Sequence, residues 1–177
     1  MMEESNLHPI VKLAKETVEM FVRDKETPRP VNLTPEMKER SGVFVSIHKH
    51  GELRGCIGTF EPTQPNVAQE IIRNAVASAS RDYRFFPDPG PVSEDELPEL
   101  TYKVDILTTP KPVRDESELD PRKYGVLVVY GPKKGILLPD LPGVDSVAQQ
   151  IEIARSKAGI SLDEPAQLFK FEVRRFE

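Results

Sequence analysis

The chain has one cysteine, no tryptophan and only three histidines among its 177 residues. A single cysteine excludes an internal disulfide and any cysteine-rich zinc site, so thiol or metal chemistry would need Cys56 to act with other residue types. There is no long apolar run and no signal-like start, so a soluble, cytoplasmic protein with no membrane association is expected. Basic residues are in the minority, 24 Lys and Arg against 29 Asp and Glu, for a formal charge of −5. That balance disfavours general affinity for nucleic acid or anionic lipid, while leaving room for a local basic patch that holds one anion. Walker, G-x-G-x-x-G, G-x-S-x-G and H-E-x-x-H motifs are all missing, which removes the common nucleotide-binding and hydrolase classes, and no cofactor is expected.

Proline is plentiful instead, with seventeen residues falling mostly between the periodic segments. A chain of this length holds about one domain, with two intimate subdomains within reach. Over 9–24, Ile10, Ala14, Thr17, Val18 and Phe21 share one stripe, which predicts an amphipathic N-terminal helix. After a polar, proline-rich connection, "GVFVSIHKHGELRGCIGTF" reads as two strands about a turn at Lys49-His50-Gly51. A three-residue loop with Gly51 left-handed sets Ile47 opposite Leu53 and Val45 opposite Gly55, and keeps apolar side chains on one face. A two-residue loop would mix the faces.

"NVAQEIIRNAVASASRD" then reads as a helix, and "LTYKVDILTTP" as a half-buried strand beyond a proline-rich loop. The second half repeats this order. "YGVLVVYGPKKGILLPD" is a hairpin whose tip carries Lys133 and Lys134, "DSVAQQIEIARSKAGI" is a helix opened by Asp145 or Ser146 and closed by Gly159, and "LFKFEVRRFE" is a final strand. "NVAQEII" matches "SVAQQIE". The expectation is an α+β fold in a single domain over 1–177, built of two hairpin-helix-strand halves near 40–110 and 120–177. Its sheets are mixed or antiparallel, with helices packed on them; chance similarity of the halves is the alternative.

In the favoured register Ser46, His48, Arg54 and Cys56 share the polar face of the hairpin. Arg54 and Cys56 are then roughly 7 Å apart, close enough for the guanidinium to favour a thiolate. Cys56 is thus the catalytic candidate, or a small side chain lining a site. Arg54 would hold a small anionic or nucleotide-like ligand, with Gly55 and Gly58 allowing close approach. The structural alternative pairs Arg54 with a carboxylate such as Asp82 and leaves Cys56 as a small apolar residue. His48 and His50 form H-x-H, but His50 falls in the loop and no acidic or cysteine cluster lies near, so no metal site is expected. In "SRDYRFFPDP", Arg81 and Arg84 suit a helix C-terminus, whereas Asp82 there requires a cation, from Arg54 or Arg84.

At "GELRGCIGTFEP" the chain resembles the AMMECR family, named for the Alport, midface hypoplasia, intellectual disability and elliptocytosis chromosomal region. "NAVASASRDYRF", "ELPEL", "YGVLVVYGPKKGILLP", "VAQQIEIARSKAGI" and "LFKFEVRRF" extend the resemblance almost end to end. It implies two interlocked α+β subdomains and no particular reaction. It also implies an association with Memo-like proteins and a radical SAM protein, and hence, as the alternative to ligand binding, an adaptor role without catalysis. The signature residues it carries over are Arg54, Gly55, Cys56, Ile57, Gly58 and Thr59, then Arg81, Asp82, Arg84 and Phe85.

Overall fold

The computed structural model describes residues 7–177, and its element order follows from local signals already present in the sequence. Helix α1 (Pro9–Asp24) opens on the His8 side chain and ends where Lys25 turns left-handed; α2 (Pro35–Lys38) is one turn capped by Thr34. The hairpin β1 (Val43–Lys49) and β2 (Glu52–Thr59) leads into α3 (Val67–Ser80), whose N-cap is Asn66. A loop with two 3-10 turns follows, then β3 (Leu100–Leu107) and the short β4 (Lys111–Pro112). The order repeats as β5 (Gly125–Tyr130), β6 (Lys133–Leu137), α4 (Val147–Ala158), β7 (Gln167–Phe171) and β8 (Val173–Phe176). Ser146 caps α4 at its start and Gly159 at its end, where φ is 63°. The protein is α+β, as its sequence predicts.

Two four-stranded sheets result, in the orders β2-β1-β3-β8 and β4-β7-β5-β6. The chain divides into two compact units. The first runs to Ile106 and takes in Arg174–Glu177; the second is Leu107–Val173. Within each sheet the hairpin and the strand after its helix stand in the same order, while the fourth strands are exchanged. β4 follows β3 along the chain but completes the other sheet, and β8 follows β7 but completes the first. The single final strand expected from "LFKFEVRRFE" is therefore two strands in two sheets, broken at Glu172. Alternation runs on through that residue, so the pattern hides the change of sheet.

The hairpin register also differs from the expected one. His50 and Gly51 form a two-residue turn with φ of 52° and 83°, so both central residues are left-handed, as the twist of a tight hairpin requires. Val43 pairs with Thr59, Val45 with Ile57, Ser46 with Cys56 and Ile47 with Gly55, and the register shifts between Ile47 and His48. That shift is a bulge with Arg54 as the extra residue, and it corrects the facing that a regular two-residue hairpin would scramble. Leu53, expected in the core, is 39% exposed as a result.

Each unit has its own core. Ile10, Ala14 and Val18 of α1, Val43, Val45 and Ile47 of β1, Ile71 and Ala75 of α3, and Val104 and Ile106 of β3 form the first. Val126, Val128, Leu137, Ile151 and Ala154 form the second. In both units the second hairpin strand brings a glycine against a helix carbonyl. A Cβ on Gly55 would stand 2.2 Å from the Ser78 oxygen, and one on Gly135 would stand 1.9 Å from that of Ala154. Lys133, at the second hairpin tip, donates to Glu164 and to the Gly159 carbonyl. Among the described residues no helix is long and apolar enough to cross a membrane.

Candidate functional site

Arg54 is 6% exposed and is turned away from Cys56. Its Nε and Nη2 donate to the two carboxylate oxygens of Glu96 at 2.8 and 2.9 Å, and Nη2 also reaches the Gly90 carbonyl at 3.1 Å. Glu96 is not among the residues that the sequence singles out. It lies in "SEDE", where Ser93 and Glu96 close a capping box that fixes the carboxylate before it meets the arginine. Donation from Arg54, outweighing the cost of burial, holds the Glu96 carboxyl down at about 2. This buried fork engages Nε and Nη2 of the guanidinium, and its Cζ sits 5.6 Å from the Phe85 ring centre. The expected closeness of Arg54 and Cys56 fails because the bulge rotates Arg54 out of the regular alternation.

Asp82 and Arg84 form a clamp on the edge of β2. Asp82 Oδ2 accepts from the Cys56 N–H at 2.9 Å, and Arg84 Nη2 donates to the Cys56 carbonyl at 3.1 Å. The two side chains are also joined to each other, with Arg84 Nη2 at 2.6 Å and Nε at 2.9 Å from the carboxylate. Burial alone would raise the Asp82 carboxyl, but the bonds from Arg84 and Cys56 hold it below the usual range. Of the two cations weighed for Asp82, the structure selects Arg84. Arg81 supplies the backbone cap of α3, and its side chain is exposed with no ion pair among the described residues.

The remaining signature residues are engaged in the frame. Ser78 accepts from the Ile57 N–H and donates to the Val45 carbonyl, at 2.8 Å each, so its hydroxyl stands between β2 and β1. One helical turn earlier, Asn74 donates to the Val43 carbonyl and to Thr59. Thr59 in turn donates to Glu70, which has no exposed surface and also accepts from Thr63 and the Gln64 N–H. Burial would raise the Glu70 carboxyl; these donors keep it below its ordinary value. Gly55 presses on α3 and Gly58 lies under the Phe44 ring, 2.2 Å from where a Cβ would stand.

Cys56 thus faces the side of the sheet opposite the helices, opposite Ser46 and one pleat from His48. Burial pushes its thiol up, against smaller opposing effects from Ser46, whose hydroxyl donates to Sγ at 3.2 Å, and from Arg84. Burial thus works against the thiolate that nucleophilic attack would need. Burial, with Lys103 nearby, lowers His48, and its Nδ1 is buried with no hydrogen-bond partner among the described residues. No group of three His, Cys, Asp or Glu that could hold a metal occurs among the described residues. Two surface cavities, about 460 Å³ beside Arg114 and Phe169 and about 480 Å³ beside Leu13 and Met37, are lined by none of the signature residues.

What the clamp presents outward is aromatic. Tyr83, between Asp82 and Arg84 on a 3-10 turn, is 81% exposed, and Phe86 is 45% exposed. Residues 11–177 match the AMMECR1 family. A protein of Thermotoga maritima is 50% identical over 174 residues, covering 96% of this chain and 98% of its own length. A protein of Clostridium acetobutylicum is 46% identical over 94% of this chain, which spans only 35% of that longer relative. The crystal structure of an uncharacterized protein from Pyrococcus horikoshii is 28% identical, with a TM-score of 0.84 over 94% of this chain and 88% of its own. By its family match and its near full-length similarity to the Thermotoga protein, the chain belongs to the AMMECR1 family.

Proposed function

We propose that the signature strand is the rigid base of a protein-docking surface, and that the chain acts as a noncatalytic adaptor. The observation that carries this reading is the 81% exposure of Tyr83 on a turn pinned at both sides by Asp82 and Arg84 to the Cys56 backbone. Exposed tyrosine and phenylalanine beside an arginine fixed by Asp82 have the composition of binding hot spots, where rigid rings lose little entropy on docking. The exposed Arg81, which has no ion pair among the described residues, favours a partner that presents a carboxylate beside an apolar ridge. The family resemblance supplies two candidates, a Memo-like protein and a radical SAM protein. A photo-crosslinking phenylalanine analogue at position 83 should capture one of these purified partners, while the same residue at the 74% exposed Leu162 should not. Equal capture at both positions, or none at 83, contradicts the reading.

A second reading keeps a small anionic ligand but moves it from Arg54 to the polar sheet face. It rests on the buried Nδ1 of His48, which has no partner among the described residues, on the face that carries Ser46 and Cys56. Mass spectrometry of small molecules retained by the purified protein, repeated on His48→Ala, tests it; identical spectra count against it.

A further inference from the structure

The strand that completes the sheet of the first unit is delivered from outside that unit's continuous chain. β8 reaches β3 only after the whole of the second unit, through the single residue Glu172 between β7 and β8. Glu172 is exposed, and at this crossing it is held by the Thr108 hydroxyl at 2.8 Å and the Thr108 N–H at 2.9 Å. Without β8, the outer edge of β3 would be a row of unpaired backbone groups.

From Arg174 to Glu177 every side chain has a dedicated receptor. Arg175 forks the buried carboxylate of Asp105 at 2.8 and 3.2 Å, and Glu177 meets Lys103 at 2.6 Å. Those partners are two residues apart on each strand, so both pairs lie on the face that also carries Ser46, His48 and Cys56. On the other face Phe176 packs on the first core and stands 4.6 Å from the His8 ring, while Arg174 pairs with Glu39. The receptor groups come from the chain just before α1, from the residue that follows α2, and from β3, and together they read an Arg-Arg-aromatic-acid sequence.

We infer that the outer edge of β3 is a strand-addition site for extended Arg-Arg-aromatic peptide segments, occupied here in cis by the C-terminal strand of the chain. Main-chain pairing supplies affinity, and Asp105, Glu39, Lys103 and His8 supply specificity, as in other β-augmentation sites. Linkage to β7 through one residue gives the resident strand a high effective concentration, so a second segment enters only when β8 is displaced. Because Lys103 pairs across from Ser46, occupancy of this edge also sets the charge next to the polar face around Cys56.

The test uses the full chain. Arg175→Asp with Phe176→Ala loosens the resident strand, and a labelled peptide Glu-Val-Arg-Arg-Phe-Glu is titrated by fluorescence anisotropy. Binding to the variant at least tenfold tighter than to the unaltered protein is expected, with loss when both peptide arginines become glutamate. Adding Asp105→Asn should weaken it about tenfold. Equal binding to both proteins, or none to a variant that keeps its circular dichroism and melting transition, overturns the inference. Should that variant not fold, hydrogen exchange on the unaltered protein decides. Amides 174–176 should exchange at least a hundredfold faster than those of β1, and protection equal to β1 overturns an exchangeable strand.

Discussion

Replacing Glu96 by glutamine removes the charge that compensates Arg54 while keeping the shape of the side chain, so it isolates the buried ion pair. The Glu96 carboxyl is lowered from 4.5 to about 2, and its side chain is 11% exposed, so solvent screening discounts the effect little. A carboxyl held that far below its ordinary value contributes about 3 kcal/mol of folding stability at neutral pH. An independent route gives a similar figure, since a buried charge left without its partner costs about 3–5 kcal/mol. A folded-state pKa below the unfolded one means that this stability is fully present above pH 4.5 and is lost as pH falls toward 2. Thermal melts at pH 7 should therefore show Glu96→Gln lower by roughly 6–12 °C, using about 2–4 °C per kcal/mol for a protein of this size. The gap to the unaltered protein should shrink steadily on acidification below pH 4.5. Replacing both partners, Arg54→Met with Glu96→Leu, should recover most of the loss, because no charge is then buried. A Glu96→Gln protein within about 0.5 kcal/mol of the original at pH 7, the usual range for surface changes, would refute the claim that the signature arginine is structural.

Three further expectations follow from the same frame. Gly55→Ala should destabilise by about 1–3 kcal/mol in denaturant unfolding, because its Cβ would meet the Ser78 backbone carbonyl, whereas Gly58→Ala meets only the Phe44 ring and should cost less; the reverse order would contradict the packing described. Asp82→Ala leaves the Cys56 N–H without its acceptor and should cost about 1–3 kcal/mol, with faster hydrogen exchange at Cys56 and Arg84; unchanged exchange at both amides would show that the clamp does not hold. Native Cys56 should alkylate with iodoacetamide slowly at pH 7.5 and accelerate only at pH above about 8.5, since burial raises its thiol. Rapid labelling at neutral pH would restore the nucleophile.

Much of the fold is legible where local chemistry is decisive. Ser146 and Gly159 announce the ends of α4, and Gly51 places the first hairpin's turn, though the sequence favours a three-residue loop over the two-residue one that forms. The repeat is visible because Glu70 and Gln150, both without exposed surface, sit at matching positions of two similar helices. Register is less legible. A bulge adds one residue to a strand, and no periodicity reports which residue is extra, so regular alternation sets Arg54 beside Cys56 instead of against Glu96. The exchange of β4 and β8 is invisible for a related reason: both sheets have one apolar face, and alternation through Glu172 fits either. Glu96 itself has a usable signal in Ser93-x-x-Glu96, but a capping box locates a helical turn and says nothing of a second partner 42 residues away. At the candidate site Asp82 and Arg84 meet the Cys56 backbone, while Arg54 is drawn off to Glu96. Sequence spacing brings side chains to a strand; only the covering loop decides which of them remain free.

The adaptor reading comes down to which residues a partner touches. Isothermal titration of the purified Memo-like protein, and in parallel the radical SAM protein, should be run against the unaltered chain, Cys56→Ser, and Tyr83→Ala with Phe86→Ala. The expected result is one partner binding the unaltered and Cys56→Ser chains with affinities within about twofold, and the aromatic double variant at least about tenfold weaker, a loss of some 1.4 kcal/mol or more. Binding that survives loss of both rings, or that disappears with the thiol, contradicts it.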